Sequence, residues 1–230
     1  MVVDNYKEVL ENVKKAALKV GRDPKDITVL AVSKTKPNEM IEELYNEGVR
    51  EFGENYVQEL ATKMETLPKD IHWHMIGHLQ RNKIKYIIEN VTMIHSVDSL
   101  RLAKAISNEA VKKGVNMDIL LEVNVALEEN KFGFKLEEVE DAVKEIAKYP
   151  NILIKGLMTS APYVSDPEEN RQYFKRLNKL LVDINDKNID NISMSVLSMG
   201  MTNDYMVAIE EGATHVRVGT AIFGERNYNK

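Results

Sequence analysis

Short apolar runs rich in β-branched residues recur along the chain, and between them apolar positions fall into a helical rhythm. The runs are ITVLAVS from Ile27, VREFG from Val49, IHWHMIG from Ile71, VTMIHSV from Val91, DILLEVNV from Asp118, ILIKGLMT from Ile152, ISMSVLSMG from Ile192 and HVRVGTAIFG from His215. Most are nearly continuous in hydrophobicity, as expected of parallel strands covered on both faces. Tyr6, Val9, Leu10, Val13, Ala17 and Val20 predict a helix before the first run. Met40, Ile41, Leu44 and Tyr45 predict one after it, opened by Pro37-Asn38 and stopped at Gly48. Further stripes are Leu102, Ala103, Ile106, Ala110 and Val111, stopped by Gly114, and then Leu136, Val139, Val143 and Ile146, where Glu140 and Lys144 suit an i,i+4 pair. The stretch DPEENRQYFKRLNKLLVDI begins with an Asp N-cap and Pro at N1, with Phe174, Leu177, Leu181 and Ile184 facing the core.

Eight strands, each followed by a helix-sized segment, predict an α/β protein: a single-domain (β/α)8 TIM-type barrel over residues 1–230 with an extra N-terminal helix. An open doubly wound sheet is the second choice. It usually has fewer strands, and no G-x-G-x-x-G follows any run.

Composition narrows the function. The net charge of -5 provides no basic footprint for nucleic acid and no polybasic membrane patch. No window resembles a membrane span or a signal-peptide h-region. The absence of cysteine excludes disulfides, thiolate catalysis and zinc-finger sites, and fits a cytoplasmic location.

The barrel gives Lys34 a role. It ends the first run, and a lysine where a strand meets water is ordinary. Strand side chains alternate, however. If Leu30 and Val32 point inward, Lys34 points into the C-terminal mouth, where barrel active sites are built, while Val29, Ala31 and Ser33 face the helices. SMGMTND (Ser198–Asp204) and RVGT (Arg217–Thr220) end the seventh and eighth runs with glycines and hydroxyls, at the loops where barrels commonly bind phosphate. Arg217 shares the parity of Gly219 and should also reach the mouth. A lysine for a Schiff base, a phosphate cup and a cation between them suit pyridoxal 5'-phosphate (PLP).

AVSKTKP, FGENYVQE, WHMIGHLQRNK, LLEVN, KFGF, GLMTSAP, LSMGMTNDY and VRVGTAIFGERNY, in this order from about Ile27 to Tyr228, resemble the pyridoxal phosphate homeostasis protein family. That family has the fold of the alanine racemase N-terminal domain. The resemblance implies a covalent PLP aldimine on Lys34, phosphate contacts from Ser198, Gly219 and Thr220, and Arg217 against the pyridine nitrogen. It implies that Asn55 and Met158 line the pocket, and that the role is PLP (vitamin B6) homeostasis, with PLP held and then released, apo PLP-dependent enzymes as recipients, and no strong catalysis. A PLP-dependent amino-acid racemase is the alternative. Two features count against it: Ser160 stands where racemases carry histidine, and the chain stops at Lys230, with no room for the racemases' β-rich second domain. Arginine at the ring nitrogen also cannot accept a proton, which leaves the ring a weak electron sink.

Other features have plainer expectations. His72, His74 and His78 read as hydrogen-bonded barrel and loop residues and not as metal ligands, since no acidic cluster accompanies them. Trp73 reads as core, Met199 and Met201 as packing, and Lys36 and Lys83 as solvated. The expected assembly is a monomer or weak dimer.

Overall fold

Each apolar run forms one strand. The computed structural model describes residues 1–225. Its strands are β1 (Thr28–Val32), β2 (Glu51–Glu54), β3 (His72–Met75), β4 (Val91–Val97), β5 (Met117–Glu122), β6 (Ile152–Met158), β7 (Ile192–Met201) and β8 (His215–Val218). They pair in parallel and in chain order, and β8 closes on β1. The helices are α1 (Val2–Lys19), α2 (Asn38–Asn46), α3 (Val57–Thr66), α4 (Leu100–Lys113), α5 (Val139–Ile146), α6 (Arg171–Asn185), α7 (Tyr205–Glu210) and α8 (Thr220–Phe223). The expected (β/α)8 barrel with an additional leading helix is therefore the observed fold.

Two segments differ from the sequence reading. After β3 the chain forms a 3-10 helix, Arg81–Tyr86, and the last run divides, with HVRV as strand and TAIF as helix. The helix stripes are buried as expected for Phe174, Leu177, Leu181 and Ile184, whereas Leu10, Val20 and Val111 lie at stripe edges and are exposed. Ser99 caps α4 by accepting from Leu102 N (3.3 Å), and Gly114 ends it in the left-handed conformation (φ 66°). The FGERNY motif continues past Glu225, outside the described residues.

Apolar packing is concentrated between the strands and the helices. Val29, Ala31, Phe52, Trp73, Met75, Ile119 and Leu121 belong to that layer. The interior is different: Met93, Leu120, Met158 and Val196 form a small apolar cluster there. Polar His74, His95, Ser198 and Arg217 are buried with them.

Candidate functional site

A cavity of about 500 Å³ opens at the C-terminal mouth, within the size range of small-molecule sites. Val32, Lys34, Asn55, Ile76, Ser160, Thr202, Arg217, Gly219 and Thr220 are in its wall. Val32 and Lys34 reach it from β1 while Val29 and Ala31 pack outward, which is the alternation the sequence predicts.

Lys34 is half-buried, and both of its neighbours are fastened from outside the barrel. Lys63 of α3 donates to Ser33 O (2.8 Å), to Glu54 Oε1 (2.7 Å) and to Glu59 Oε1 (2.6 Å). Ser33 Oγ donates to Glu54 Oε1 (2.6 Å), and Thr35 N donates to Glu59 Oε1 (2.7 Å). Thr35 is left-handed at φ 62°, a conformation that costs a β-branched residue roughly 1–3 kcal/mol and needs such anchoring. Burial pushes the Glu54 carboxyl up, against the pull of Lys63. Lys36 was expected to be solvated. Instead its Nζ donates to the carbonyls of Phe223, Gly224 and Glu225 and ties down the end of α8.

Two glycines set the shape of the wall. A Cβ at Gly77 would lie 2.4 Å from Asn55 O, so only glycine lets the β3 exit press against the backbone that presents Asn55. Gly200 has φ +90°, and a Cβ there would meet Ala208 Cβ at 2.5 Å. It lets the chain turn between β7 and α7 and bring Thr202 to the cavity. Asp204 fixes that turn by accepting from Met201 N (2.7 Å) and from Asn170 Nδ2 (2.8 Å).

Arg217 is 4% exposed. Its Nη1 donates to Ser198 Oγ (2.7 Å), and Nη2 donates to Thr159 O (2.8 Å). Burial lowers its pKa to about 10, opposed by Glu122 and Asp204, so it is cationic at neutral pH. Burial raises Glu122 to about 7 despite Arg217, giving the barrel end a carboxyl that titrates near neutrality.

The structure brings Lys34, Asn55, Arg217, Gly219 and Thr220 to one cavity. Two of the residues expected there lie deeper. Ser198 is fully buried, with its hydroxyl between Arg217 and His95, because β7 continues past it to Met201. Met158 packs in the interior apolar cluster, and Ser160 takes the wall position two residues later. The hydroxyl that β7 brings to the cavity is Thr202, the second one in SMGMT, and Met201 lies beside it in the wall. That second hydroxyl was visible in the motif, but its depth was not.

The chain is similar to proteins already known. Residues 5–227 match the family model of the alanine racemase N-terminal domain. The pyridoxal phosphate homeostasis protein of Aquifex aeolicus is 43% identical over 98% of both chains. The structure of PipY from Synechococcus elongatus with PLP bound is 32% identical, with TM-score 0.79, covering 94% of this chain and all of that one. An alanine racemase from Clostridium difficile is 16% identical with TM-score 0.72, covering 98% of this chain and 57% of the racemase, a likeness of fold alone.

Proposed function

The chain belongs to the pyridoxal phosphate homeostasis protein family, built on the fold of the alanine racemase N-terminal domain, and on that premise we propose that its mouth cavity is the cofactor site. The protein binds PLP and serves PLP homeostasis by holding and releasing it. When bound, the cofactor supplies an aldehyde for an amine and an electron-withdrawing ring.

The observation that carries the site is an unsatisfied group in the cavity wall. Asn55 Oδ1 is buried and has no hydrogen-bond partner among the described residues. A buried acceptor left unpaired costs free energy, and a hydroxylated ligand would satisfy it. The remaining wall fits the same ligand. Lys34 offers the amine, and Arg217 offers N–H donors toward a ring nitrogen. Gly219, Thr220 and Thr202 surround the first turn of α8, whose N–H groups have no partners within the helix. Ser198 and Met158 support this wall from below rather than line it.

The arrangement favours retention over turnover. Arg217 holds only donors, so it keeps a facing ring nitrogen unprotonated and the ring a poor sink for carbanion electrons. Ser160, at the position where the resemblance places a racemase histidine, offers no imidazole base. We assign the protein to the cytoplasm, with apo PLP-dependent enzymes as recipients of released cofactor. Among the described residues no helix is long and apolar enough to cross a membrane.

Reductive trapping tests the site. Borohydride treatment of the PLP-loaded protein followed by peptide mapping should place the pyridoxyl group on Lys34, and Lys34→Ala should lose the visible absorbance of bound cofactor while melting normally. A label on Lys36 or Lys83 would reject this wall as the site.

A further inference from the structure

Below the cavity a line of hydrogen bonds crosses the barrel interior. Arg217 Nη1 lies 2.7 Å from Ser198 Oγ, and Ser198 Oγ lies 2.9 Å from His95 Nδ1. His95 Nε2 lies 2.9 Å from His74 Nδ1, and His74 Nε2 lies 2.8 Å from Glu51 Oε2. The five residues come from β8, β7, β4, β3 and β2. All but Glu51 are buried. Glu51 is half-exposed at the start of β2, and its other oxygen meets the exposed His72 (2.6 Å).

The chemistry of the two ends sets a direction. A guanidinium can only donate, and an ionised carboxylate can only accept. With Glu51 accepting, His74 carries its proton on Nε2 and is an acceptor at Nδ1. His95 must then donate from Nε2 and accept at Nδ1, Ser198 must donate its hydroxyl proton to His95, and the serine oxygen accepts from Arg217. Ser198, His95 and His74 each use one donor and one acceptor along the line, between an end that only donates and an end that only accepts. We propose that Ser198, His95, His74 and Glu51 form a one-directional hydrogen-bond chain that orients Arg217 toward the cofactor ring, with both histidines neutral and protonated on Nε2.

These are positioning residues: none touches the cavity, and they act through Arg217. Burial, with repulsion from His74, His215 and Arg217, holds His95 well below the usual histidine range, in keeping with a neutral ring. Burial would raise the Glu51 carboxyl, but hydrogen bonds from His74 and His72 outweigh it and keep the acceptor end ionised. Thr159 O accepts the second guanidinium nitrogen (2.8 Å), so the chain and that carbonyl together define the plane of Arg217. The part of the proposal that concerns the cofactor ring rests on the reading of the cavity given above.

The decisive measurement uses the protein without cofactor. Long-range proton–nitrogen NMR correlation on the 15N-labelled chain at neutral pH should show both His74 and His95 as Nε2–H tautomers. A proton on His95 Nδ1, or a cationic ring at either residue, would reverse or break the direction and overturn the chain. The second measurement separates positioning from packing. His95→Gln keeps an acceptor and a donor, whereas His95→Leu keeps neither. PLP affinity should fall roughly tenfold in His95→Leu, about the worth of one hydrogen bond. Its absorbance band should also shift, and His95→Gln should restore both. Equal affinity and spectrum in the leucine and glutamine variants would reject the positioning role. Should the leucine variant not fold, Ser198→Ala takes its place, with the same loss expected. Failure of the wild-type protein to bind PLP would refute the cavity reading, and the tautomer result would still decide the chain.

Discussion

The two basic side chains in the cavity wall, Lys34 and Arg217, are backed by polar clusters of opposite construction. Behind Lys34, outside the barrel, the cluster is ionic: Lys63 lies between Glu54 and Glu59. Behind Arg217, inside the barrel, it is a line of neutral groups ending at a half-exposed carboxylate. Taking charges out of water costs several kcal/mol per ion, and their attraction repays this only with good geometry. Neutral groups cost little once their hydrogen bonds are made. The ionic cluster therefore ties the lysine loop to global stability. The neutral line fixes the direction in which an arginine points and has less effect on folding.

Breaking the ionic cluster should give the largest effect. Lys63 is 4% exposed, and Lys63→Met leaves Glu54 buried without its counter-charge. Breaking such a pair costs about 3–5 kcal/mol, equivalent to a fall of roughly 10 °C in melting temperature for a chain of this size. Replacing both partners, Glu54→Leu with Lys63→Met, should recover most of it. Thermal melts of the three proteins decide the matter, and a single variant melting with the wild type would remove the ionic contribution.

The interior should appear next, as pH dependence. Burial holds His215 at about 4 against an ordinary 6.5, with His95 shifted the same way. Below pH 6.5 the unfolded chain takes up these protons and the native one does not, so stability falls on acidification until about pH 4. Glu122 acts in the opposite sense. Raised from 4.5 to about 7, it binds its proton earlier in the native state, so its contribution grows more favourable as pH falls through that window. Glu122→Gln should therefore steepen the acid limb of a melting-temperature profile and raise stability above pH 7. An unchanged profile would mean that Glu122 does not titrate as its burial dictates.

The smallest effect calibrates the others. Lys144 and Glu140 pair at 2.7 Å on the open face of α5. Lys144→Ala should cost less than about 0.5 kcal/mol by denaturant titration. A larger loss would mean that the contrast between buried and exposed ions has been overdrawn.

Much of the site was legible before the structure, for a local reason. Lys34, Arg217 and Gly219 sit at strand ends on inward parity, and parity is a property of neighbouring residues, whereas Thr220 was read from the glycine-hydroxyl turn and Asn55 from the family resemblance. The helix stripe of α6 was legible in the same way. Leu10, Val20 and Val111 were misplaced because a periodic stripe does not show where its edges meet solvent.

What the sequence determined by itself is the order and kind of the elements, because burial on a strand or helix face repeats with a short local period. That was enough for eight strands and a closed barrel, and for a lysine at the first strand's end that reaches the mouth. The tertiary structure alone decided depth and partnership. The register of β7 against β8 shifts between Ser198 and Met201, which moves Ser198 under Arg217 and Thr202 into the wall. The line from Glu51 to Arg217 joins five strands across the barrel. Register and stagger are set by pairings between residues far apart in the chain, and no local period records them.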